Sequence, residues 1–68
     1  MNNKLDQTFG SLVRQKREDL MFSQSELARK LNCPQTTVSR LEQGQRSVTL
    51  PELLSLAQAL KTSVSDLL

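Results

Sequence analysis

The chain contains no histidine, tryptophan or tyrosine, and it has a single cysteine and two phenylalanines among 68 residues. Each shortage removes a class of function. One cysteine forbids an internal disulfide and a cysteine cluster for zinc. Without histidine there is neither a Ser-His-Asp triad nor a histidine metal site, so no cofactor is expected. Two phenylalanines as the whole aromatic content leave little for stacking against single-stranded bases. No apolar run approaches the ~20 residues needed to span a bilayer, and no signal-peptide pattern opens the chain, so a soluble, cytoplasmic protein without a membrane partner is expected.

The apolar residues that are present, 37% of the total, suffice for one small domain over residues 1–68. A chain this short buries only about 60% of its unfolded surface. Its net charge of +2 is unevenly spread. Residues 1–48 carry eight basic and five acidic side chains, a balance of +3, whereas residues 49–68 carry Lys61 against Glu52 and Asp66, a balance of −1. The positive side of the molecule is therefore the first two thirds.

Helical periodicity dominates, and no stretch alternates with period two for long enough to be a strand. After a polar, frayed start at residues 1–4, a first helix is expected from about Asp6 to Leu20. Phe9, Val13, Arg17 and Leu20 are spaced by four, four and three along one face of it. Ser23 with Glu26 forms a capping box, flanked by Phe22 and Leu27 as a hydrophobic staple, and starts a second helix that faces inward through Leu27, Ala28 and Leu31. Asn32 tolerates the left-handed conformation that ends helices, and Pro34 disfavours helical geometry at Cys33. A third helix is expected over Gln35–Gln43, with Val38 and Leu41 inward and Gly44 as its stop. Thr49 and Glu52 repeat the capping box, with Val48 and Leu53 as staple, for a fourth helix up to about Lys61. Leu50, Leu53, Leu54, Ala57 and Leu60 read as its inward face. Ser63 and Asp66 start a last short helix carrying Val64, Leu67 and Leu68. The fold class is all-α, a compact bundle of five helices.

The informative stretch is Gln24 to Gln43, two short helices joined by a turn of three or four residues. Ala28 is small enough for the second of them to cross closely and steeply. That arrangement is a helix-turn-helix, which offers the N-terminal residues of its second helix to a DNA major groove. The run Gln24-x-x-Leu27-Ala28-x-x-Leu31-Asn32-Cys33, followed by Thr37-Val38-Ser39-Arg40-Leu41-Glu42-Gln43-Gly44, resembles the phage repressor and Cro family, also called XRE-type regulators. The resemblance spans about residues 9–68. It departs from the family pattern at Asn32, where glycine is usual, at Met21, where glycine is frequent, and at Pro34, where serine or threonine is frequent.

The resemblance implies a lambda-repressor-like five-helix domain that binds double-stranded DNA as a homodimer and regulates transcription, most simply as a repressor. Gln35, Thr36 and Arg40 would then point into the groove, where glutamine can pair with adenine, arginine with guanine, and a threonine methyl with that of thymine. Gln24 resembles the glutamine that binds phosphate and braces the first base-reading glutamine. Gln43 resembles a second phosphate anchor, with Ser23, Thr37 and Arg46 as further backbone candidates. Lys4, Arg14, Lys16, Arg29 and Lys30 would add long-range attraction or simply solubility. Arg17 lies on an apolar stripe and Glu42 one turn beyond Val38, so the two are expected to form a structural ion pair. Cys33 is expected to be a free, partly buried thiol. Candidates for a dimer contact are the 44–50 loop and the apolar residues near Val64, Leu67 and Leu68. The rival readings are an antitoxin with a toxin or other protein partner, a restriction–modification controller protein, and a helix-turn-helix used for protein contact alone. An enzyme would need clustered catalytic groups, and the acids here read as caps, pair partners or surface residues.

Overall fold

The computed structural model describes residues 4–67, with side chains from Thr8 onward. The polar start at residues 1–3, the side chains of Lys4 and Asp6, and Leu68 lie outside the described residues. Five helices follow one another: α1 (Lys4–Asp19), α2 (Gln24–Leu31), α3 (Gln35–Glu42), α4 (Leu50–Ala59) and α5 (Val64–Leu67). The described residues contain no strand. α3 packs against both α1 and α2, α2 also meets α4, and α5 closes the bundle against α1 and α4.

The local signals are realised as hydrogen bonds. Ser23 Oγ accepts from the Glu26 amide at 3.0 Å, and the Ser23 amide donates to Glu26 Oε1 at 2.8 Å. The bond from the Ser23 amide foremost, and then the Ser23 hydroxyl, hold the Glu26 carboxyl below its ordinary range. Thr49 and Glu52 repeat the box at the start of α4, with Pro51 in the first turn. The third helix has no such start, because Pro34 occupies its cap and offers no side-chain acceptor.

Four helices end alike. The amides of Phe22, Cys33, Gln45 and Thr62 reach back to the carbonyls of Arg17, Ala28, Arg40 and Ala57. The residue before each of them, Met21, Asn32, Gly44 or Lys61, has a positive φ of 54° to 73°. This is the Schellman ending, in which a left-handed residue turns the chain so that two orphan carbonyls are satisfied. Glycine fits that conformation without penalty, and asparagine fits it better than most residues. Met21, 88% exposed, and Lys61 have no such advantage. They are held there by the packing on either side, at about 1 kcal/mol each.

Val13, Leu27, Ala28, Val38, Leu41, Leu53, Leu56, Ala57, Leu60 and Leu67 form the buried core, and Phe9, Leu12, Leu20, Leu31, Val48 and Val64 pack around it. The inward faces expected for α1, α2 and α3 are the ones buried. α4 differs. Leu56 is buried, whereas Leu50 and Leu54 are 68% and 51% exposed, so the core stripe is centred on Leu53, Leu56, Ala57 and Leu60. Helix ends differ from the sequence expectation by one or two residues. α1 starts at Lys4 rather than Asp6 and leaves Leu20 in the turn, α3 stops at Glu42, and α4 stops at Ala59 with Leu60 as its cap.

Candidate nucleic-acid interface

α2 and α3 are joined by Asn32, Cys33 and Pro34, and Ala28, 3% exposed, sits beneath the crossing. Burial of Val38 and Leu41 fixes which face of α3 looks inward, so the opposite face is solvent-exposed. Gln35, Thr36 and Arg40 all lie on that exposed face. The side chains of Thr36 and Arg40 make no hydrogen bond or ion pair among the described residues. Because Pro34 supplies no cap, the first amides of α3 are left without a side-chain acceptor.

Gln35 is tied at both edges. Its Nε2 donates to Gln24 Oε1 at 3.4 Å, and its Oε1 accepts from Ser25 Oγ at 2.8 Å. Gln24 in turn donates from Nε2 to Glu42 Oε1 at 3.1 Å. Glu42 is buried against Arg17, with Arg17 Nε to Glu42 Oε2 at 2.6 Å, a second bond from the guanidinium to Oε1 at 3.1 Å, and a third to the Phe22 carbonyl at 2.7 Å. The bond to Glu42 outweighs burial and raises the Arg17 pKa above its ordinary value, so the guanidinium keeps its charge despite burial. A continuous polar chain therefore runs from inside α1 to the outer face of α3. No buried side-chain nitrogen or oxygen among the described residues lacks a partner. Ser25, which closes that chain, was not singled out from the sequence. Its only signal is its place beside Gln24 in the first turn of α2.

The other candidates are spread around this face. Gln43 is exposed at the end of α3, bonded to Ser39 Oγ at 3.2 Å, and Ser23 is exposed at the cap of α2. Thr37 is half-buried, lining with Cys33 a cavity of about 160 Å³ between the α2–α3 turn and α4. Cys33 is a free, half-buried thiol. Arg46 is held by Glu52 through both terminal nitrogens of its guanidinium. That pairing keeps the Glu52 carboxyl at a pKa of about 2. Arg14 pairs with Glu18 across one helical turn at 3.2 Å, and Lys30 Nζ lies 4.8 Å over the Phe22 ring. Arg29 is exposed and Lys16 half-buried. Among the described residues, no group of three or more acidic, cysteine or histidine side chains is placed to hold a metal ion. No described helix is long and apolar enough to cross a membrane.

Residues 13–67 match the family model described as helix-turn-helix. The chain belongs to the helix-turn-helix family. Within it, the chain is similar to the restriction-modification controller protein C.AhdI from Aeromonas hydrophila, with 32% identity and a TM-score of 0.93 over 97% of this chain and 100% of that one. It is also similar to the clp gene regulator ClgR from C. glutamicum, with 31% identity and a TM-score of 0.89 over 96% of this chain and 84% of that one. The helix-turn-helix fold recurs inside hydroxypropylphosphonic acid epoxidase from S. wedmorenis, at 30% identity and a TM-score of 0.85, over 91% of this chain but 33% of the epoxidase. No match was found among curated protein sequences.

Proposed function

We propose that this helix-turn-helix transcriptional regulator represses transcription by binding a double-stranded DNA operator as a homodimer, with α3 in the major groove. The observation that carries the reading is the outer face of α3. There Gln35 is held by Gln24 and Ser25, while Thr36 and Arg40 stand exposed beside it. Side chains of these three types match the donor, acceptor and methyl pattern of base edges. Gln24, Gln43, Ser23 and Thr37 flank that face and are assigned to phosphates. Gln24 keeps one amide hydrogen beyond its bond to Glu42. Arg46 would have to leave Glu52 to take part, and it ranks last among the phosphate contacts. The +3 balance of residues 1–48 favours the same side of the molecule. An enzyme is not proposed, because the family and the regulators it resembles favour binding. Fold alone would not decide this, since an epoxidase carries the same helices. The reading carries with it a cytoplasmic location.

Titration of fluorescent duplexes selected from a random pool tests the reading. Arg40→Ala should cost about 1–3 kcal/mol on the preferred operator and relax the preference at one base pair. Gln43→Ala should weaken binding to all sequences alike. Wild-type binding with no sequence preference at physiological salt would end the operator reading, and equal effects of the two variants would end the division of roles.

The homodimer is assigned to α4. Leu50 and Leu54 are exposed one turn apart, whereas Leu67 is spent on the core and Val64 is half-buried. Two such chains related by a two-fold axis would read half-sites about one helical turn of DNA apart. Leu54→Glu should shift sedimentation equilibrium to the monomer while leaving the helical signal intact, and an unchanged association constant would move the contact elsewhere. Similarity over its whole length to a controller protein favours a second, narrower reading in which the regulated genes are those of a restriction–modification system. An operator in front of such genes would support it.

A further inference from the structure

Two hollows on the flank of the domain share a border. The first, of about 160 Å³, lies between the α2–α3 turn and α4, and Leu31, Leu41, Val48 and Leu56 give it apolar walls. Arg46 and Glu52 border it, but each is spent on the other, and Glu52 also accepts from the Thr49 amide at 2.9 Å. This hollow therefore offers no unmet charge. The second, of about 320 Å³, opens beside it over Leu31 and Ser55, which line both. Its lining is polar, and the charged residues in it are Lys30 and Lys61, set beside the amides of Asn32 and Gln58. The side chains of Asn32, Ser55, Gln58 and Lys61 make no hydrogen bond or ion pair among the described residues. Lys30 rests over the Phe22 ring, and Glu26, one turn before it, is engaged by Ser23. The carbonyls that end α2 and α4 would oppose an anion here, but turn amides already satisfy those of Ala28, Arg29, Ala57 and Gln58. What remains is a pair of like charges with no counter-ion between them.

We propose that the joined hollows bind a small organic acid, with its apolar body between Leu41 and Leu56 and its carboxylate between Lys30 and Lys61. Size sets the body. An apolar cavity of about 150 Å³ is enough to hold a benzene ring, and a much larger group would not enter. Charge sets the head. A neutral ligand would leave the two ammonium groups without a counter-ion, and a cation would be repelled by both. The amides of Asn32 and Gln58 and the Ser55 hydroxyl add neutral donors, which suit the several lone pairs of a carboxylate. Lys61 stands at a φ of 54°, where glycine would be unstrained, and an anionic ligand gives a purpose to the cation there. The site spans α3 and α4 through Leu41 and Leu56, and it stands whatever α3 reads.

The test titrates the isotopically labelled full chain with benzoate, phenylacetate and hexanoate at constant ionic strength and follows backbone amide shifts. At least one acid should bind saturably with a dissociation constant of about 1 mM, shifting Cys33, Ser55 and Lys61 together. Acetate, a head without a body, and benzyl alcohol, a body without a head, should each bind about tenfold more weakly. Lys61→Gly removes one ammonium group and relieves the left-handed residue, so its unfolding midpoint should not fall. That variant should bind the acid about fivefold more weakly, with benzyl alcohol unaffected. Ser55→Leu, on the exposed side of α4, should fill the junction and abolish acid binding while the fold is kept. No saturable shift with any of the three acids, or acetate binding as well as the best of them, overturns the proposal. So does Lys61→Gly binding the acid as tightly as wild type.

Discussion

Arg17→Met is expected to lower the free energy of unfolding by about 3–5 kcal/mol, and Glu42→Leu by a similar amount. Most ion pairs seen in structures are worth far less, because water screens them and two long side chains must be ordered. Burial decides against that outcome here. The side chains of Arg17 and Glu42 are 10% and 3% exposed, and their two charge-assisted bonds are joined by the third from Arg17 to the Phe22 carbonyl. Removing Arg17 leaves the Glu42 carboxylate with Gln24 as its remaining donor. Removing Glu42 leaves a guanidinium whose other acid neighbour is Glu18 at 4.0 Å, half in solvent. Stability near 0.05–0.15 kcal/mol per residue gives this chain roughly 3–10 kcal/mol in all, so either variant stands close to unfolding. The double variant Arg17→Met/Glu42→Leu leaves no orphaned charge and should regain most of the loss. Urea denaturation followed by far-UV circular dichroism measures all three. Single variants within about 1 kcal/mol of wild type would show that the pair is screened like a surface pair.

The same chemistry separates what the sequence disclosed from what it did not. A capping box is a local device, so Ser23 with Glu26 and Thr49 with Glu52 could be read from spacing alone. Asn32 as a left-handed helix end was equally readable, because its side chain tolerates the conformation. Met21 and Lys61 adopt that conformation for another reason. The Schellman bonds and the packing of the next helix impose it, and nothing local in either residue announces it. On α4, leucines at 50, 53, 54, 56 and 60 spread over about 160° of the helix circumference, wider than the stripe of about 100° that one buried face needs. Periodicity cannot then say which stripe is buried. The answer depends on where α2 and α5 sit, and it moved Leu56 inward and Leu50 and Leu54 outward. At the candidate interface, the residue types on α3 and the turn before it are sequence features. The bonds Gln24 to Glu42 and Ser25 to Gln35 join residues 18 and 10 positions apart, and they exist only through the angle at which α2 crosses α3.

Gly10→Ala is expected to destabilise the protein by about 2 kcal/mol, although alanine is the better helix former. In an open helix interior the exchange would gain about 0.5–1 kcal/mol. Gly10, however, is buried where α1 crosses the C-terminal end of α3. A Cβ placed there would lie 2.3 Å from the Leu41 carbonyl oxygen and 2.8 Å from that of Glu42. Both obstacles are backbone atoms, and the Leu41 carbonyl is further anchored by the Gly44 amide at 3.1 Å, within the bonds that end α3. It cannot swing aside without loosening that turn. The remaining escape is for α1 to withdraw from α3. Arg17 lies two turns further along α1 and Glu42 at the contact itself, so the withdrawal would also stretch the buried ion pair. Overpacking of this kind costs about 1–3 kcal/mol, and coupling to the ion pair places Gly10 at the upper end, so the helix-propensity gain is outweighed. Ser11→Ala, one residue along on the exposed side of α1, supplies the control and should be neutral or slightly stabilising. Denaturation midpoints of the two variants decide the matter: Gly10→Ala as stable as Ser11→Ala would mean that α1 and α3 do not approach this closely in solution.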